Sequence, residues 1–148
     1  MIFFTRQLYQ DIQPISDWKP RPAEREWNRR SKILRRYEKI ITPLLPLSAV
    51  QLLRKSLHDA EVESISQNSG NLVLIMDARP CAAGSYRGYR VRLTFDGVRR
   101  RINTRGLIGQ WWLYSEVHLC SHAKFSLHVL FTKSELEIEA DKLSIKRF

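Results

Sequence analysis

Three clusters in this chain carry side chains that could do chemistry. His58-Asp59, at the centre of SLHDAEVESIS (residues 56–66), has the form of a dyad that holds a hydrolytic metal ion. His118, His122 and His128 lie near one another late in the chain, where imidazoles could act as acids or bases. The block DGVRRRINTRG (residues 96–106) brings Arg99, Arg100, Arg101 and Arg105 together around Gly97 and Asn103, a composition that presents several guanidinium groups from one loop.

Ligand count separates these readings. A catalytic metal takes three or more protein ligands, and nothing in sequence supplies them to His58-Asp59. His118 and His128 could share a sheet face across a hairpin, but no carboxylate is assigned to the pair, and His122 falls in a turn. The expectation is no metal and no cofactor. His58-Asp59 then reads as a structural junction, with Asp59 accepting backbone N–H bonds and His58 locking a helix against a sheet. Other catalytic patterns are missing: there is no GxSxG elbow, no phosphate loop and no cysteine beside a base. Glu135, Glu137 and Glu139 alternate along a strand and so line one solvated face. A metal-free ribonuclease would need His118 or His128 beside an arginine in a cleft. The chain is not expected to be an enzyme.

Charge points to binding instead. The net charge is +10, from 25 basic and 15 acidic residues. Residues 1–60 carry 12 basic and 6 acidic side chains, and residues 79–105 carry eight arginines against Asp96 alone. Arginine pairs bidentately with phosphate or carboxylate, so an acidic partner is implied. The expected contacts are Arg99, Arg100, Arg101 and Arg105, extended by Arg90 and Arg92 on a strand and by Arg29 and Arg36 on a helix. Against nucleic acid such a surface would weaken steeply with salt; against a protein it would speed encounter and pair with carboxylates. In WWLYSEVHL, Trp111 and Trp112 read as core rather than as a base-stacking platform, with Tyr114 and Glu116 left as candidate partner contacts.

These residues need elements to hold them. At 148 residues the chain is expected to form a single domain, with a helical part over 1–58 and an antiparallel β part over 59–148. No apolar run reaches the roughly 20 residues of a membrane span, and MIFFTRQLYQ is too short in apolar residues for a signal peptide. A cytoplasmic protein with no membrane partner is expected, and two dissimilar cysteines, Cys81 and Cys120, suit a reducing compartment. Thr5 is placed to cap a helix through RQLYQDIQ. The stretch from Lys19 to Pro46 carries an apolar stripe of Ala23, Trp27, Leu34, Tyr37, Ile40 and Ile41, and Ser48 is placed to cap a third helix pointing Ala49, Leu52, Leu53 and Leu57 inward. After Asp59 the period falls to two. EVESIS alternates with a slip between Val62 and Ile65, QNSG is turn chemistry before NLVLIMDA, and YRVRLTF sets Tyr89, Val91, Leu93 and Phe95 against Arg90, Arg92 and Thr94. QWWLYSEVHL reads as a central strand covered by helices on one side. Helices first and strands afterwards predict an α+β fold, N-terminal helices on an antiparallel sheet of six or seven strands.

Taken together, MIFFTRQLYQDIQ, LHDAEVESI, LTFDGV and WWLYSEV give the chain a resemblance. It resembles small uncharacterised bacterial α+β proteins and the immunity proteins of polymorphic and contact-dependent growth-inhibition toxin systems. The resemblance implies that His58-Asp59 marks the helix-to-sheet junction and that the partner is a cognate toxin, neutralised by occlusion. Immunity proteins are often acidic, so a net charge of +10 implies either an acidic toxin or a binding face that ignores the net charge. Basic nucleic-acid binding through the arginine loop is the alternative, and a metal-dependent hydrolase at His58-Asp59 the third reading.

Overall fold

The computed structural model describes residues 1–13 and 22–148. Helix α1 spans Arg6–Ile12, α2 Pro22–Ile41 and α3 Leu47–Arg54, with a short 3-10 turn at Thr42–Leu44. Seven strands follow: β1 Glu61–Asn68, β2 Asn71–Asp77, β3 Arg90–Asp96, β4 Trp112–His118, β5 Phe125–Phe131, β6 Glu135–Ala140 and β7 Lys142–Arg147. The fold is α+β, as the order of periodicities predicts. Its strands form two antiparallel sheets, β1-β2-β3-β7 and β4-β5-β6, rather than one.

Local chemistry explains most element boundaries. The Thr5 hydroxyl accepts from the Leu8 N–H at 3.3 Å and caps α1. In α2 the core-facing line runs through Leu34 and Ile41, and Ile40 departs from the expected stripe: it is 72% exposed. A helical step of 100° turns Ile40 off the line that Ile41 occupies. Half-buried Tyr37 and Glu38 take the inward positions of that turn. Ser48 is not a cap, because Pro46 precedes the helix and Leu47 begins it, without a side-chain cap bond. Leu57 is buried, but beyond the helix end. The expected start of the second helix at Lys19-Pro20-Arg21 lies outside the described residues.

The first sheet follows its alternation. β1 and β2 meet across the two-residue turn Ser69-Gly70, and the slip between Val62 and Ile65 is a β-bulge between Val62 and Ser64. Val91, Leu93 and Phe95 are fully buried, while Tyr89 precedes β3 and is exposed. The second sheet departs from expectation. A bulge between Trp112 and Tyr114 resets the faces of β4, so Trp112 is buried and Trp111 is half exposed. β4 is an edge strand of its sheet and β5, buried along nearly its whole length, is the centre.

One core unites these parts. Leu72, Leu74, Met76, Leu93 and Phe95 from the first sheet meet Phe125, Leu127, Val129, Phe131 and Ile138 from the second, with Ile41, Leu45, Ala49 and Leu52 joining from the helices. The sheets are stitched at one end by Val62 N–H to Gln110 O and Trp112 N–H to Ala60 O, and at the other by Arg99 N–H to Glu139 O and Asp141 N–H to Asp96 O. The second seam positions the arginine loop. Among the described residues no helix is long and apolar enough to cross a membrane.

Candidate functional site

The loop after β3 leaves the sheet at Gly97, whose φ of +69° favours glycine. A Cβ there would also lie 2.5 Å from the Asp141 carboxylate, so the turn needs the missing side chain twice over. The loop is then pinned along its length. Val98 N–H donates to Gly70 O at 2.8 Å, and Ile102 N–H donates to Gln67 Oε1 at 3.2 Å, both at the β1–β2 turn. Asn103 Oδ1 accepts from Arg105 N–H, closing a local turn.

This pinning builds a groove of about 1120 Å³ between the β1–β2 turn, Gln67 to Gly70, and the loop from Val98 to Arg105. A smaller hollow of about 230 Å³ lies on the other side of the loop, against Glu135, Leu136, Glu137 and Glu139 of β6. Arg100 and Arg101 line both and so form the crest between them. Arg99 is held by Asp141 at 2.8 Å and Arg100 by Glu139 at 3.3 Å. Arg101 and Arg105 are exposed and have no carboxylate partner among the described residues. The four loop arginines thus share one groove, with two of them available to an anion.

The other expected contacts do not join it. Arg90 pairs with Glu63 at the opposite end of β3, and Arg90 and Arg92 both lie over the Phe148 ring, at 5.7 and 5.6 Å. On α2, Arg29 is forked onto Glu26 with both bonds at 2.7 Å, and Arg36 is exposed. Arg29, then Arg30, holds the Glu26 carboxyl down at about 2. None of these four lines the groove.

His58-Asp59 lies between α3 and β1. Asp59 contributes its own N–H, to Trp112 O at 2.8 Å, rather than accepting backbone bonds. Its carboxylate faces the His58 Nδ1 at 3.0 Å, and the His58 ring meets Tyr114 edge-on at 5.3 Å. Asp59 holds a φ of +66°, which Asp tolerates better than most residues. Among the described residues no group of three His, Cys, Asp or Glu is arranged to hold a metal. Asp59→Gly should therefore leave stability within about 0.5 kcal/mol, whereas Asp59→Val should cost about 1–2 kcal/mol through the left-handed backbone. Urea unfolding of both variants checks this; equal losses would shift the role from the backbone to the carboxylate.

A second polar constellation is built on Glu116, which cannot be the partner contact expected of it because no part of it reaches the surface. Glu116 is fully buried and accepts the N–H groups of Ile2, Phe3 and Phe4 at 2.8, 2.9 and 2.7 Å. His118 Nε2 stands 3.0 Å from the same carboxylate, and because a carboxylate only accepts, that nitrogen carries the proton. Opposite Glu116 in the sheet lies His128, and opposite His128 lies Glu137. The His118 and His128 rings are 4.9 Å apart; His128 Nε2 reaches Ser126 Oγ at 2.8 Å and Glu137 at 3.5 Å. Carboxylates therefore do accompany the histidine pair, contrary to expectation. Period-two spacing of Glu116 and His118 was the available signal.

Burial alone would raise the Glu116 pKa, but the His118 bond and three backbone N–H groups outweigh it and hold the group at about 2. Burial pushes the His128 imidazole below its ordinary value, with Glu137 opposing. Phe3 stacks on His118 and Tyr37 tilts against it, so residues 2–4 form a strap over the cluster. Both Glu116 oxygens are occupied by that strap. Arg6 fastens the strap's far end by donating to the carbonyls of Phe131, Thr132 and Ser134.

Neither a curated protein nor a solved structure matches this chain. A protein-family model matches residues 8–139, from α1 to β6, and so takes in the arginine loop, His58-Asp59 and the Glu116 cluster. The chain belongs to the family described as Protein of unknown function (DUF4085).

Proposed function

We propose that this is a non-catalytic binding protein whose arginine groove receives the carboxylates of a partner protein. The observation that carries the reading is the charge layout at the crest. Arg101 and Arg105 look into the open groove, while Glu135, Glu137 and Glu139 stand beside the neighbouring hollow. A polyanion laid across the crest would meet these three carboxylates and be repelled, because a nucleic-acid backbone carries only negative charge. A protein face that interleaves carboxylates with cations fits both sides of the crest. The groove lining contains no aromatic ring on which a base could stack. In its most specific form the partner is a cognate bacterial toxin, a reading supported by the resemblance of LHDAEVESI and WWLYSEV to immunity proteins. Occlusion of the toxin's own site would then be the whole mechanism.

Affinity capture from the host lysate, with and without nuclease, tests the reading against Arg101→Glu/Arg105→Glu. The expected result is one stoichiometric protein that survives nuclease and binds the double variant roughly 10–100-fold more weakly. Recovery of nucleic acid, with proteins lost on digestion, would overturn it in favour of phosphate contact. Undiminished binding by the double variant would remove the groove from the interface.

A further inference from the structure

The corner where α2 runs into α3 carries a second surface, separate from the groove. Ile33 and Ile40 stand two helical turns apart on one flank of α2, and Leu44 and Leu47 continue past the helix end. They are 40, 72, 65 and 84% exposed. Pro43 and Pro46 stiffen the turn that projects Leu44 and Leu47. Cations flank the α2 pair on its solvent side: Lys32, Arg35, Arg36 and Lys39 are all exposed. The single acidic residue between Arg29 and Ile41 is Glu38, half-buried and facing Glu116 and His118.

We infer that this corner is a peripheral docking surface for an anionic lipid bilayer. The charge is one-signed and the apolar groups are aliphatic, the combination that seats an amphipathic helix in a negatively charged headgroup layer. The exposed apolar residues of the corner include no Trp or Tyr, the aromatic anchors on which protein hot spots commonly centre. None of the four aliphatic residues lines either hollow beside the arginine loop, so this surface is separate from that site. The expectation of no membrane partner came from the lack of a spanning segment, and surface attachment does not need one.

Sedimentation of the full-length protein with vesicles tests the inference. Vesicles of phosphatidylcholine with about 30% phosphatidylserine should retain it, and pure phosphatidylcholine vesicles should not. Salt at about 0.5 M should release most of it. Ile40→Asp/Leu47→Asp, at two exposed positions, should lower the bound fraction at least about tenfold while circular dichroism stays unchanged. Arg101→Glu/Arg105→Glu should still sediment, which keeps this surface distinct from the groove. No retention on the anionic vesicles would overturn the inference. So would retention that ignores the aliphatic substitutions and is lost with the loop substitutions, or a protein captured through Ile40 and Leu47 by a chain that ignores lipid.

Discussion

Glu116→Ala lowers the folding free energy by roughly 3–5 kcal/mol, as much as truncating a fully buried core phenylalanine. The carboxylate is fully buried, and its removal strands three backbone N–H groups of the strap together with the His118 Nε2–H. Each buried donor left without an acceptor costs about 1–3 kcal/mol, less where the strap can lift into water. Such lifting would uncover Phe3 and Phe4, which pack on His118, Tyr37, Trp27 and Tyr114. Glu116→Gln keeps the shape and one good acceptor, so about half the loss is expected from it. Urea unfolding of the three proteins decides the point. A loss below about 1 kcal/mol for Glu116→Ala would mean that the strap contributes little to the fold.

Acidification should destabilise the protein in a window set by the same residue. The Glu116 pKa falls from 4.5 to about 2 on folding, so the folded state prefers the charged form. Its contribution is complete above pH 4.5 and is lost as the pH falls through about 2. The size is on the order of 3 kcal/mol, since each tenfold change in proton affinity corresponds to about 1.4 kcal/mol. His128 acts in the same direction from higher pH, because burial disfavours its charged form and Glu137 only partly opposes this. Glu38 acts oppositely: burial raises its pKa against the pull of Arg35, so its penalty is relieved as it takes up a proton. The sum still follows Glu116, whose carboxyl is moved furthest from its ordinary value of the three. Melting temperatures measured across this range should fall steeply in the native protein and much less in Glu116→Gln. Parallel curves for the two would assign the acid lability to other carboxylates, such as Glu26 or Asp77 with their arginine partners.

Whatever depended on near neighbours was legible in the chain. Alternation from Arg90 to Asp96 placed Val91, Leu93 and Phe95 inside, and Thr5 announced a helix three residues ahead of the N–H it caps. The irregular spacing of Val62 and Ile65 marked a real bulge. The failures share one character. Ile40 looked apolar enough for the core, but Tyr37 and Glu38 took the half-buried positions of that turn, and Glu38 feels the charges of Glu116 and His118 on a strand more than seventy residues away. WWLYSEVHL looked like a central strand covered by helices on one side; α2 and the strap do cover that face, but the strand is an edge of its sheet.

The same division holds for the sites. Sequence established a basic α+β chain, a loop that crowds four arginines, and a His-Asp pair between the helical and β parts, all of them properties of composition and local period. The tertiary contacts made the rest. Gln67 and Gly70 turn the loop into one wall of a groove, Glu139 and Asp141 occupy two of its arginines and leave two exposed, and β4, β5 and β6 line up Glu116, His128 and Glu137 under a strap from the other end of the chain. The physical reason is range. Helix and strand periods are set by neighbours a few residues apart, whereas the partner of a buried charge is chosen by where the core brings distant segments together.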